Sequence, residues 1–328
     1  MKVPTDHPSP FVRRLLSFWA PTPAAMRAWA LASVVVNAGI TVSGAVVRVT
    51  GSGLGCPTWP RCTPESFVPV AHPEIDPLNM AIEFGNRLVT FLVLVVGFAC
   101  VVAAMRLSPR RPSLVRLAWL QPVGIAAQAL WGGVVVSSML NPFTVSMHFL
   151  LSIGLTAFCW MLYVRAGEGD GPVRPVTHGA IRRLGHVLLA AVFVLVVMGV
   201  VVTGTGPHSG DVLASRFGFD IETVARLHAD AAYLVVGLTF ALLFALYVTG
   251  APRAARRAAL ALLVVELLQG VVGYVQYFLG VPAALVTLHV LGSTLVWIGA
   301  LRVVSSLRTR GPLAEPAAPA PAGTPASV

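Results

Sequence analysis

The chain has 328 residues, of which 56% are hydrophobic and only 11% charged, with a mean hydropathy of +0.80. A soluble domain carries about 25% charged residues, so this composition excludes an ordinary soluble fold and points to an integral membrane protein. The formal net charge of +10 would suggest a nucleic-acid partner in a soluble protein. Here the cations lie between apolar segments, where topology accounts for them, and no nucleic-acid partner is expected.

Eight segments are long enough to span a bilayer, at about 20 residues each. They cover 26–48, 78–104, 115–137, 143–164, 184–204, 223–249, 256–279 and 283–304. The stretch ahead of them lacks a sustained apolar core and a small-residue cleavage site, so it does not read as a secretory signal. Basic residues alternate in density along the connections. Lys2, Arg13, Arg14 and Arg27 precede the first segment, and Arg106, Arg110, Arg111 and Arg116 follow the second. Arg165, Arg174, Arg182 and Arg183 follow the fourth, Arg253, Arg256 and Arg257 the sixth, and Arg302, Arg308 and Arg310 the last. The positive-inside rule then places both termini in the cytoplasm of a multi-pass plasma-membrane protein. The Pro/Ala-rich end reads as disordered.

The chain repeats itself. QALWGGVVVSSMLNPFTVSMHFLLS, from Gln128, rhymes with QGVVGYVQYFLGVPAALVTLHVLGS, from Gln269. Gln128 precedes His148 by 20 residues, as Gln269 precedes His289. Gly132 matches Gly273, Ser152 matches Ser293, and VRVTGSG near residue 50 matches VVTGTG near residue 203. The fold expected is therefore all-α, with eight transmembrane helices in two tandem pseudo-symmetric four-helix bundles. Four helices return the chain to its starting side, so the repeats are parallel and unlike the inverted repeats of many transporters. The division expected is a cytoplasmic segment 1–25, a first bundle 26–164, a linker 165–183, a second bundle 184–304 and a tail 305–328.

Asn86, His148, His228 and His289 lie inside these apolar segments at matching places, all on even-numbered helices. With a rise of about 1.5 Å per residue, each sits roughly 7–12 Å below the outer end of its helix. Intramembrane imidazoles are expensive and read as functional. Imidazoles facing each other across a bundle read first as axial haem ligands, against a plain interhelical hydrogen bond. His228 and His289 form the complete pair. His148 is paired with Asn86, a poor haem ligand, which leaves one face of that site open.

Glu83 lies three residues before Asn86, a spacing that shares a helix face. It reads as a proton-transfer group or as a structural partner of Arg87. Glu266 is a second buried-carboxylate candidate without a counterpart in the other half. Arg48, Arg87 and Arg226 lie near the outer boundary, where an arginine suits a haem propionate or simply snorkels. Cys56 and Cys62 share the first outer loop, GSGLGCPTWPRCTP, in an oxidising compartment. A disulfide there would be a staple or a thiol-exchanging pair. Cys100 and Cys159 read as small apolar residues. No role is assigned to His7, His72, His178, His186 or His208.

VVRVTGSGLGCPTWPRC, EFGNR, LNPFTVSMHFLLS, ARLHADAAYL and VTLHVLGS, in this order over about residues 40–295, resemble the heme A synthase family. The resemblance implies a haem-dependent membrane oxidoreductase that converts the C8 methyl of heme O to a formyl group for terminal oxidase biogenesis. It implies a haem b between His228 and His289, with substrate heme O bound near His148, Asn86 and Arg87. It implies a catalytic role for Glu83 and a redox or haem-transfer role for Cys56 and Cys62. The partners it implies are heme O, membrane lipid, a heme O synthase, oxidase assembly factors and an electron donor. The family usually has His where this chain has Asn86, so the resemblance leaves His148 without a second imidazole. The competing readings are a b-type cytochrome that relays electrons and a haem-transfer chaperone.

Overall fold

A computed structural model describes residues 20–71 and 73–313. Lys2, His7, Arg13, Arg14, His72 and the end of the tail lie outside the described residues. Eight helices follow in chain order: α1 Pro23–Val49, α2 Pro77–Arg106, α3 Pro112–Ser137, α4 Pro142–Ala166, α5 Gly179–Thr205, α6 Ile221–Val248, α7 Arg253–Phe278 and α8 Ala283–Ser306. All eight are long and apolar enough to cross a membrane. Proline opens α1 to α4, where its missing N–H costs nothing. Thr22, Asp76, Asn141 and Asp220 cap α1, α2, α4 and α6 by accepting first-turn N–H groups.

The first four helices pack in a ring, α1 on α2 and α4 and α3 on α2 and α4. The last four repeat that ring, and α8 joins the halves by packing on α1 and α4. Large apolar side chains such as Phe91, Phe244 and Leu268 point outward, as expected where lipid is the solvent. Small and polar residues line the helix contacts. On α1, the buried Asn37 and Thr41 bond back to Ser33 and Asn37 carbonyls, so no polar group is stranded there.

One turn proves the repeat at the level of backbone geometry. Between α3 and α4, Met139 and Leu140 take φ of 53° and 55°; between α7 and α8, Gly280 and Val281 take 74° and 62°. Leu140 N–H donates to Val135 O at 3.0 Å, and Val281 N–H donates to Gln276 O at 2.7 Å. A leucine and a valine in the left-handed region are held there by their surroundings. The same strained reversal thus sets the angle between the odd helix and the histidine-bearing helix in both halves.

Residues 305–313, read from sequence as the start of a free tail, instead complete α8 and form a two-residue strand. This strand, β2 (Arg308–Thr309), pairs antiparallel with β1 (Arg174–Pro175) in the linker between the halves. Composition does not signal this because the pairing acid, Glu168, lies 140 residues away from Arg308 in the chain.

Candidate functional site

The imidazoles of His228 on α6 and His289 on α8 face each other, with ring centroids 6.4 Å apart and planes at 70°. Each ring lies over a glycine of a neighbouring helix. A Cβ on Gly199 of α5 would stand 3.1 Å from His228 Cε1, and one on Gly273 of α7 would stand 3.2 Å from His289 Cε1. Gln269 Nε2 donates to His289 O at 2.6 Å, which ties α7 to α8 at the level of the ring. Gly292 leaves the room that the Gln269 amide occupies. The Nδ1 atoms of both histidines are buried without a hydrogen-bond partner among the described residues. Two imidazole nitrogens about 2 Å either side of one metal ion place their ring centroids roughly 6 Å apart. The centroid spacing therefore fits two imidazoles on either side of one haem iron, and each ring also keeps a buried Nδ1 without a partner among the described residues.

The cradle recurs in the first half with one wall changed. His148 of α4 lies over Gly132 of α3, whose Cβ would stand 3.6 Å from His148 Cε1. Gln128 Nε2 donates to His148 O at 3.2 Å and to Ser152 Oγ at 2.5 Å. His148 Nδ1 is also buried and unpartnered. Asn86 stands on α2, but Ser43 Oγ of α1 donates to its Oδ1 at 2.6 Å. No hydrogen bond joins Asn86 to His148 among the described residues.

Glu83 pairs with Arg87, the structural partner its sequence also offered, and turns to the α1–α2 loop. Cys56 N–H donates to Glu83 Oε2 at 2.8 Å, and Arg87 Nη2 donates to Glu83 Oε1 at 2.7 Å. The same Arg87 nitrogen donates to Cys56 O at 2.8 Å, and Arg87 Nη1 donates to the carbonyls of Thr58 and Arg61 at 3.0 Å each. Cys56 and Cys62 form a disulfide, and both are fully buried. Gly55 sits against the α2 backbone at Asn79, and a Cβ on Gly133 of α3 would stand 2.8 Å from Trp59 Cδ2. Gly133 adjoins Gly132, the floor of His148. Glu83, Arg87, the disulfide and Trp59 are thus one unit, a roof fixed over the end of the His148 cradle nearest the α1–α2 loop.

Arg48, a candidate for a propionate, is engaged between the halves: it donates to His208 O at 2.7 Å and to Thr203 O at 3.0 Å. His208, given no role from sequence, donates to Val281 O at 2.9 Å and so fastens the α5–α6 loop to the α7–α8 turn. Arg226 lies near Asp220, whose carboxyl sits below its ordinary value chiefly through its hydrogen bonds with Thr223. Glu266 is buried on α7; Thr239 Oγ1 donates to its Oε1 at 2.9 Å, and its Oε2 has no partner among the described residues. Cys100 and Cys159 are free and buried, and donate to Trp29 O and Gln121 Oε1. His208 and the orphaned Glu266 oxygen depend on which helices meet, and no local pattern signals either.

Comparison with known proteins fits this geometry. A relative from Geobacillus kaustophilus, named Heme A synthase, is 27% identical over 143 residues, 43% of each chain. One of the same name from Symbiobacterium thermophilum is 30% identical over 150 residues, 44% of this chain and 46% of its own. A third, from Bacillus pumilus, is 30% identical over 132 residues, 39% of this chain and 41% of its own. These alignments span less than half of each relative's length. The family model described as Cytochrome oxidase assembly protein, COX15-CtaA, matches residues 27–301, and the chain belongs to that family.

Proposed function

We propose that this protein is a heme A synthase that oxidises the C8 methyl of heme O to a formyl group. The observation that carries the reading is the inequality of two otherwise repeated cradles. His228 and His289 close on each other, as a permanently held cofactor requires, whereas His148 stands opposite no second imidazole. A single-sided cradle suits a substrate that must enter, react and leave. Haem b held between His228 and His289 supplies one-electron chemistry to the protein.

The chain's own groups then divide the work. His148, fixed through Gln128 and Gly132, holds heme O from one side, with Asn86 and Arg87 completing that pocket's wall. Glu83 is the carboxylate nearest in sequence to this wall and serves as the proton-handling group, with Arg87 and the Cys56 N–H orienting it. The roof excludes bulk water from the outer end. Overall, two hydroxylations of the methyl and loss of water from the gem-diol give the formyl product. In the cell the protein spans the plasma membrane with both termini cytoplasmic and its cradles toward the outer face. It works beside a heme O synthase, oxidase assembly factors and an electron donor.

A second reading, transfer or relay without chemistry, draws on one observation: both Glu83 oxygens are already engaged in holding the roof. Co-expression with a heme O synthase, followed by haem extraction, separates the two. Accumulated heme A supports the synthase. Heme O alone, with folded haem-loaded protein, overturns it.

A further inference from the structure

At the end of the bundle opposite the disulfide loop, the linker between the halves meets the chain leaving α8. Beside the β1–β2 pairing lies a surface-open pocket of about 280 Å³ lined by Gly171, Pro172, Arg174, Thr309, Arg310 and Gly311. Glycine is required at its edge, since a Cβ on Gly171 would stand 2.8 Å from Arg310 O. Beside it lies an ion-pair network. Glu168 takes Arg308 at 2.5 Å and Arg165 at 3.2 Å, and Asp170 takes Arg165 at 2.7 Å and Arg111 at 2.8 Å. The hydrogen bond from Arg111 holds the Asp170 carboxyl below the ordinary carboxylate range, so it stays ionised and committed to these arginines.

On the pocket side one carboxylate, Glu168, is shared by Arg165, Arg308 and Arg310, three cations to one anion. Arg310 Nη1 donates to Gly171 O at 3.1 Å, but its Nε, 3.5 Å from Glu168 Oε1, is buried without a hydrogen bond. Arg174 has no side-chain hydrogen bond or ion pair among the described residues. Two arginines lining one pocket, Arg174 without a protein partner among the described residues, suit a phosphate group. Pro172 and Val173 are exposed beside it, Val173 by 51%. The pocket lies level with the ends of α4, α5 and α8, where a bilayer places its headgroups.

We propose that this pocket binds the phosphodiester headgroup of an anionic phospholipid, with Arg174 and Arg310 on the phosphate and Pro172 and Val173 against the glycerol and upper acyl chain. Such a lipid would fasten the linker and the chain end, and with them both halves, to one leaflet. Free inorganic phosphate offers the same charge but gains nothing from the apolar rim.

The test uses the full chain, purified in detergent and examined by native mass spectrometry with phosphatidylglycerol, phosphatidylcholine or inorganic phosphate. One phosphatidylglycerol retained in preference to phosphatidylcholine is expected. Arg174→Gln should cut that retention about ten-fold at an unchanged melting temperature, and Arg174→Lys should restore part of it. Equal retention of the two lipids, or full retention in a folded Arg174→Gln protein, overturns the proposal. Displacement of the lipid by millimolar phosphate with equal affinity assigns the site to a free anion and overturns the lipid reading. If Arg174→Gln does not fold, Arg310→Lys takes its place, with weakened retention expected and unchanged retention overturning the proposal.

Discussion

In the C-terminal half the ring of His289 meets the ring of His228, while in the N-terminal half the counterpart of His228 is Asn86, which bonds Ser43 instead. Around these positions the halves are alike. Both use the left-handed turn ahead of the histidine helix, a glutamine on the histidine carbonyl and a glycine beneath the imidazole. The N-terminal half adds the disulfide roof locked by Glu83 and Arg87. The C-terminal half adds a buried carboxyl, Glu266, with one oxygen unpartnered. One scaffold therefore presents either a closed pair of ligands or a single ligand under a roof. The choice is made by very few side chains.

The largest expected effect tests whether the closed pair holds a cofactor. His228→Ala or His289→Ala should remove nearly all stably bound haem b from purified protein, read from the absorption spectrum. His148→Ala should leave that haem in place. Equal loss in all three variants would erase the distinction between the halves.

Glu83→Ala probes the roof. Removing one partner of a buried ion pair costs roughly 3–5 kcal/mol, discounted here because the Arg87 side chain is 20% exposed. Heme A formation should fall by at least about 100-fold, the scale of a lost acid–base group, with the haem b spectrum unchanged. Glu83→Gln should keep the Cys56 N–H contact and recover melting temperature but not activity. Recovery of both would reduce Glu83 to an anchor.

Asn86→His sharpens the comparison in the other direction. If the halves differ in ligand number, this variant should bind a second haem with bis-histidine spectral features and turn over more slowly. An unchanged spectrum would show that the position cannot reach the iron.

The smallest effect concerns the clamp that joins the halves. The depressed pKa of Asp170 contributes stability above its unfolded value of about 3.9, lost as pH falls through the still lower folded value. The melting temperature of wild type should exceed that of Asp170→Asn at pH 7, with the gap narrowing as pH falls below about 3.9. The effect is modest because the Asp170 side chain is 55% exposed. A gap that persists in acid would place the clamp elsewhere.

The amino-acid sequence by itself determined the eight spans, the parallel repeat and the places of His148, His228, His289 and Asn86. Hydrophobic runs and fixed offsets are one-dimensional signals, and lipid enforces them segment by segment. It also carried the resemblance that names a reaction. Tertiary structure alone decided where the polar side chains point. The Glu83–Arg87 pair is legible from helical spacing, yet only the folded α1–α2 loop brings Cys56 N–H to the other Glu83 oxygen. Arg48 reads as a membrane-boundary cation, yet it bonds carbonyls about 155 residues away. The apparent tail becomes a strand paired with β1, where Glu168 takes Arg308. The Cys56 N–H, the partners of Arg48 and the partner of the chain end are all far away in the chain. The energy of an arginine or a carboxylate in a low-dielectric bundle depends on that partner and not on its sequence neighbours.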